Sequence, residues 1–223
     1  MSLTRADLES TELHKRLLQS KSGVQFLSEA ELQASIEQTL QQQKLDADIW
    51  LFAYGSLIWN PLFKFVEHRS GTIYGWHRRF CLWTPWGRGT PDNPGLVLGL
   101  DRGGSCRGVA FRLDAATVAT ELIIVWRREM IVNTYIPRWV RVLDGKQGFD
   151  AIAFVVNRNH RAYVGNISWE TTVNSIATAQ GQLGSSADYL MQTIEGLAAA
   201  GIRDKHLLQL GASVLEQRCI PHF

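Results

Sequence analysis

The stretch Trp50-Leu51-Phe52-Ala53-Tyr54-Gly55-Ser56-Leu57-Ile58-Trp59 decides how the rest of this 223-residue chain is read. Its first half, extended back to Ile49, is an apolar run of the kind that forms a buried strand. Its second half is apolar too, which is unusual for a surface turn, yet Gly55-Ser56 interrupts the run directly after a tyrosine. Glycine permits backbone angles that a side chain forbids and lets a ligand approach the main chain closely. Amides left unpaired at a strand end can converge on an anion or a carbonyl oxygen. Two readings stand: a tight turn in a buried corner, or a rigid loop presenting bare amides to a small polar molecule.

Upstream of this stretch, Ser28-Glu29-Ala30-Glu31 has the Ser-x-x-Glu pattern of a capping box. Leu32, Ile36 and Leu40 follow at a spacing of four, so a helix is expected through about Gln43. Residues 1–48 are taken as an N-terminal helical extension and 49–223 as the main domain. Downstream, short apolar runs are punctuated by Gly and Pro: Gly71 to Trp76, Arg79 to Trp83, Leu96 to Leu100 and Arg107 to Leu113. Gly103-Gly104 suggests a hairpin between the last two. Arg138 to Leu143 and Asp150 to Val156 are expected to pair around a turn at Gly145-Lys146. Helical texture covers Ala115 to Met130, Thr171 to Ala199 and Asp204 to Glu216. Strands in a run without regular βαβ alternation favour an α+β fold, its sheet mixed or largely antiparallel and able to curl into a barrel.

Composition narrows the function. Hydrophobic residues make up 45% and charged residues 20%, an ordinary globular balance, and a net charge of +2 gives no reason to expect nucleic acid or a membrane surface as partner. No apolar run approaches the roughly 20 residues of a membrane-spanning helix. Cys81, Cys106 and Cys219 are too few and odd in number for a disulfide framework, so a reducing, cytoplasmic location is expected. Neither a Cys-x-x-Cys nor a His-x-x-x-His spacing occurs, nor a phosphate-binding loop, so neither metal nor cofactor is expected. Ser56 lacks the Gly-x-Ser-x-Gly surroundings of a nucleophile elbow.

A second stretch carries chemistry. In a helix through Glu121 to Met130, Leu122, Val125, Trp126 and Glu129 fall at i, i+3, i+4 and i+7, which puts the Glu129 carboxylate on the apolar stripe. Its neighbours three and four residues away, Val125, Trp126, Val132 and Asn133, include no cation, and adjacent Arg128 is expected on another face. A carboxylate facing the interior loses hydration, its pKa rises, and it suits a proton that is taken and later returned. An exposed helix end, or a distant salt bridge to one of the many arginines between Arg69 and Arg141, reads Glu129 equally well.

The two stretches meet in a resemblance. Trp50 to Trp59, Gly75-Trp76-His77-Arg78-Arg79-Phe80, Arg88-Gly89-Thr90-Pro91-Asp92-Asn93-Pro94-Gly95, Gly108-Val109-Ala110-Phe111-Arg112-Leu113 and Trp126-Arg127-Arg128-Glu129-Met130, with an echo at Gly184 to Leu190, resemble the ChaC family of glutathione-specific γ-glutamylcyclotransferases, in its bacterial branch. The resemblance implies a small mixed β-barrel or strongly curved sheet flanked by helices. It implies that Tyr54, Gly55, Ser56, Leu57 and Ile58 cradle a γ-glutamyl group, that Glu129 is catalytic and that Tyr189 contacts substrate. Ser186 stands where the family often has Asn, and Ala53 where many relatives carry Gly. The implied reaction splits glutathione into 5-oxoproline and cysteinylglycine. The substrate's α-amine attacks its own γ-carbonyl carbon, Glu129 moves the proton, and main-chain amides around Gly55 to Leu57 hold the oxyanion. Arg79 is the candidate for the substrate carboxylate. A monomer is expected. Other γ-glutamyl amines or amino acids as substrates, or a non-enzymatic role in regulating cation transport, are the alternatives.

Overall fold

The computed structural model describes residues 3–10, 26–43, 48–85, 87–145 and 147–219. Two capped helices come first among the described residues. In α1 (Arg5–Glu9) Thr4 and Asp7 exchange the reciprocal bonds of a capping box; in α2 (Glu29–Leu40) Ser28 and Glu31 do the same, the one box of the two that the Ser-x-x-Glu pattern predicts. The helix α2 stops at Leu40, three residues short of Gln43.

Next come β1 (Trp50–Ala53), one turn of helix α3 (Ser56–Trp59), and two long strands, β2 (Glu67–Thr84) and β3 (Gly95–Arg112). The four short runs expected between Gly71 and Leu113 are therefore two strands of 18 residues each. The expected hairpin at Gly103-Gly104 is not there. The register runs from Thr84 opposite Gly95 back to Glu67 opposite Arg112, so the chain reverses between Thr84 and Gly95. Gly103 and Gly104, with φ of 101° and 66°, form a bulge inside β3 where the register shifts between Tyr74 and Trp76. Positive φ serves a bulge as well as a turn, and only the partner strand distinguishes them.

The helix α4 (Val118–Glu129) leads into the antiparallel pair β4 (Tyr135–Leu143) and β5 (Gly148–Val156). That pair was expected, although Lys146 of its turn lies outside the described residues. The five strands close into a barrel in the order β1-β3-β2-β4-β5, sealed where Leu51 of β1 runs parallel to Ile152 of β5. The helix expected over Thr171 to Ala199 is two. The first, α5 (Trp169–Thr178), ends at a two-rung hairpin of β6 (Gln180–Gly181) and β7 (Gly184–Ser185), and α6 (Ser186–Ala199) restarts from a Ser185/Asp188 capping box. The helix α7 (Lys205–Cys219) is the last element of the described residues.

The barrel interior and the helices share one core, in which Phe52, Leu98, Trp126 and Phe154 are almost wholly buried. The helix α2 of the N-terminal extension belongs to it. Leu32 and Ile36 are buried in that core, each stabilising it by roughly 1.5–3 kcal/mol. Trp126 donates to Ser35 at 3.0 Å and Trp139 donates to the Thr39 carbonyl at 2.8 Å. Both indole N–H groups would otherwise be stranded beside apolar surface.

Candidate active site

The strand β1 delivers Tyr54 into the barrel, where its hydroxyl donates to the Phe154 carbonyl at 2.8 Å and its own carbonyl accepts from Arg78 Nη1 at 2.8 Å. With Tyr54 held at both ends, the chain turns at Gly55 into α3. Gly55 N-caps that turn without any side-chain cap. The Ile58 and Asn60 amides bond back to the Gly55 and Ser56 carbonyls at 2.9 Å. The Ser56 and Leu57 amides head the helix, where no carbonyl lies four residues back to receive them. A Cβ on Gly55 would sit 3.1 Å from the Tyr189 hydroxyl and 3.6 Å from Leu98. The glycine thus lets the turn lie close against the Tyr189 hydroxyl, and a larger side chain there would press on it.

Tyr54, Gly55, Ser56 and Leu57 line a recess of about 20 Å³ together with Glu129, Tyr135 and Tyr189. That is space for about one water-sized group. Ser56, Glu129, Tyr135 and Tyr189 also line a wider cleft of about 480 Å³, bounded further by Trp59, Arg88, Arg128 and Gln192. Of the residues expected to bind substrate, the structure brings together Tyr54, Gly55, Ser56, Leu57, Tyr189 and Glu129. Ile58 is not among the lining residues and packs against the core instead. Arg79 is elsewhere too: it faces Asp101 at 3.5 Å, donates to the Gly165 carbonyl and lines a different cavity. Its guanidinium is already engaged, which corrects the expectation that it meets a substrate carboxylate. Ser186, at the position where Asn is common, is fully buried. It accepts from the Leu96 amide at 3.2 Å and donates to the Arg88 carbonyl at 3.3 Å, so it ties α6 to the β2–β3 loop.

Glu129 is the last residue of α4 and its side chain is only 13% exposed. Burial raises its pKa above the ordinary carboxylate value, and Arg128 pulls the other way. The negative end of the helix dipole acts in the same direction as burial. The expectation that Arg128 points to another face does not hold: Arg128 Nε lies 3.1 Å from Glu129 Oε1, and its Nη1 donates to the Asn60 carbonyl. At a helix end a long arginine can fold back on its neighbour, which spacing rules for helix interiors do not capture. Burial outweighs this one ion pair. Tyr189 is pushed up by burial and by the Glu129 charge, and Tyr54 and Tyr135 chiefly by burial, so all three phenols stay protonated.

Three lining residues escaped sequence reading. Arg88 lies over the Tyr189 ring at 5.7 Å, and its guanidinium pKa is lowered by burial. Its signal was its place in the Arg-Gly-Thr-Pro segment. Arg128 had its place in Trp-Arg-Arg-Glu-Met. Tyr135, whose hydroxyl donates to the Leu98 carbonyl at 2.9 Å, carried no signal of its own. The arrangement offers one proton-accepting carboxylate, donors in the main chain, neutral phenols and two guanidinium groups, Arg88 half-buried and Arg128 almost enclosed, around a small recess.

A family model described as ChaC-like protein matches residues 49–217. The chain belongs to the ChaC-like family. Among curated relatives, the glutathione-specific γ-glutamylcyclotransferase of Escherichia coli is 40% identical over 182 residues, covering 81% of this chain and 79% of that protein. The human glutathione-specific γ-glutamylcyclotransferase 1 is 29% identical over 166 residues, covering 71% and 75%. Among solved structures, a γ-glutamylcyclotransferase specific to glutathione from yeast superposes with a TM-score of 0.72 at 23% identity, over 80% of this chain and all of that one. That likeness places the barrel within the same fold. The family match begins at Ile49, one residue before β1, and takes in the glycine turn, Arg88, Glu129 and Tyr189.

Proposed function

We propose that the chain is a glutathione-specific γ-glutamylcyclotransferase, acting on the substrate named for its Escherichia coli relative. The observation that carries this reading is the shared recess: the bare amides after Gly55 and the desolvated carboxylate of Glu129 line one small space. The γ-glutamyl unit enters with its γ-carbonyl oxygen toward the Ser56 and Leu57 amides. Its α-carboxylate is met by Arg88, which takes the part first given to Arg79. Tyr189 borders the same space and fixes the rotamer of the bound unit.

The ammonium form of the α-amine is not a nucleophile, and Glu129 removes its proton. The freed amine attacks the γ-carbonyl carbon, a ring C–N bond forms, and the oxygen takes charge that the amides stabilise. Glu129 returns the proton to the cysteinyl nitrogen as the old C–N bond breaks and the carbonyl re-forms; it then takes the extra proton from the ring nitrogen and passes it to the departing amine, which leaves as an ammonium. The products are 5-oxoproline and cysteinylglycine, and no water is consumed. General acid–base help of this kind is worth about 10²–10⁴-fold. Holding amine and carbonyl in attack geometry can contribute up to about 7–11 kcal/mol.

The test is incubation of purified protein with glutathione, and separately with γ-glutamyl-alanine, followed by chromatography for 5-oxoproline. The reading expects release from glutathione and little from γ-glutamyl-alanine. Equal release from both replaces the glutathione assignment with a broader γ-glutamyl specificity, and release from neither refutes the cyclotransferase reading. The enzyme is proposed to work as a monomer in the cytoplasm, where reducing conditions suit its three free thiols.

A further inference from the structure

A second cavity, of about 600 Å³, lies among β2, β3 and the segments that open α5 and α7. It shares no lining residue with the recess or cleft around Glu129. Its size is that of an ordinary small-molecule site. Its charge is not ordinary. Arg107, Arg203 and Lys205 face it, and among the described residues none of the three has a carboxylate within ion-pair distance. Asp204 is the one lining carboxylate, and it is already held by Arg78 Nε at 3.0 Å and by the Leu207 amide at 3.1 Å. Three unpaired cations around one cavity exceed the formal charge of the entire chain, +2. A concave site of one sign focuses its field on small anions.

The rest of the lining gives the anion a shape. Trp169, 38% exposed, stands edge-on to His206 at 5.5 Å, so an indole and an imidazole border the same opening. Ile202 and Leu210 supply apolar wall. Cations beside exposed aromatic rings suit a ligand with several phosphate charges and one flat ring, since ring faces stack and guanidinium groups grip phosphate oxygens.

The cavity also backs onto the active site. Arg78, 8% exposed, binds Asp204 on the cavity side and donates from Nη1 to the Tyr54 carbonyl, one residue before Gly55. Phe80, a lining residue, meets the Tyr189 ring edge-on at 6.0 Å. A ligand that competes for Arg78 or draws Asp204 away shifts the support of the turn that holds the oxyanion amides.

We propose that this cavity is a second ligand site, for a small polyphosphate anion carrying a flat ring, and that its occupancy adjusts the glycine turn through Arg78. Titration calorimetry with ATP, tripolyphosphate and adenosine, in buffer free of divalent cations, tests the site on the whole protein. ATP is expected to bind saturably, at least fivefold tighter than tripolyphosphate, with adenosine weakest. The Arg203→Ala/Lys205→Ala variant, altered only at exposed side chains, is expected to keep its thermal midpoint and lose at least tenfold in ATP affinity. Trp169→Ala is expected to abolish the advantage of ATP over tripolyphosphate. Absence of saturable ATP binding, or an unchanged Kd in the double variant, overturns the site. Equal affinity for ATP and tripolyphosphate in the parent overturns the ring contact. Saturating ATP is expected to change the KM for glutathione at least twofold in the parent and not in the double variant; an unchanged KM in the parent overturns the link through Arg78.

Discussion

Glu121 and Glu129 sit on the same helix, eight residues apart, and both carboxylates are largely removed from water, at 2% and 13% side-chain exposure. Their surroundings drive them in opposite directions. Glu121 stands in the first turn of α4, where the helix dipole favours a negative charge. Arg5 grips both of its oxygens, at 2.7 and 2.9 Å, and the Lys64 amide adds a third bond at 2.8 Å. Burial alone would raise its pKa, but these donors together bring it below the ordinary value. Glu129 stands at the other end of the helix, with one arginine contact from its neighbour, and burial prevails. One carboxylate is a fixed anion that fastens the N-terminal helix α1 to α4. The other is left ready to change its proton. Burial of an acid is therefore no sign of catalysis by itself; the number and charge of its donors decide.

The largest effect expected from breaking this comparison is on turnover. Glu129→Gln keeps the side-chain shape and removes the proton carrier, so 5-oxoproline release should fall by about 10²–10⁴-fold. Its circular dichroism should match the parent. Glu121→Gln, at the other end of the helix, should leave turnover of the folded protein within a few fold. A rate loss in Glu121→Gln as large as in Glu129→Gln would dissolve the distinction.

Next in size is a loss of stability at the Glu121 end. Arg5→Ala leaves a buried carboxylate without its counter-charge, which should cost roughly 3 kcal/mol in denaturant unfolding, near the low end for a broken buried pair because Arg5 is a quarter exposed. The pH dependence follows from the sign of the shift. The folded-state pKa of Glu121 is depressed, so its contribution is present at neutral pH and is lost as pH falls below the unfolded-chain value of about 4.5. Glu121→Gln should flatten that acid loss, as read from thermal midpoints between about pH 6 and 3.

A smaller effect sharpens the Glu129 end. Arg128 is the group that holds the Glu129 pKa down. In Arg128→Gln the acidic limb of kcat/KM, where the base becomes protonated, should move to higher pH. A limb that stays in place would mean that Arg128 does not govern the proton on Glu129.

What the sequence made legible was local. The capping boxes at Ser28 and the strand before Gly55 depend on neighbours within a few residues, and both formed as expected. The apolar stripe of α4 formed as expected and carries the Glu129 side chain inward to 13% exposure. What it hid depended on partners far along the chain or on element ends. Gly103-Gly104 became a bulge because β2 continues past it as a single partner. The helix expected through Ala199 broke at Gln180 to Ser185, where a Ser185-x-x-Asp188 restart signal went unread. Arg79 lies at a different cavity because Asp101 and Gly165, distant in sequence, engage it there. Arg88 reached the cleft from a loop whose position Ser186 fixes. Tyr135 entered the recess through barrel closure, which no local pattern announces.

The most direct test is a site-resolved titration of both acids in one sample, by carboxyl carbon NMR of glutamate-labelled protein assigned with Glu121→Gln and Glu129→Gln. The account predicts that Glu129 titrates above the ordinary value of 4.5 and Glu121 below it. Coincident titrations, or the reverse order, would contradict it.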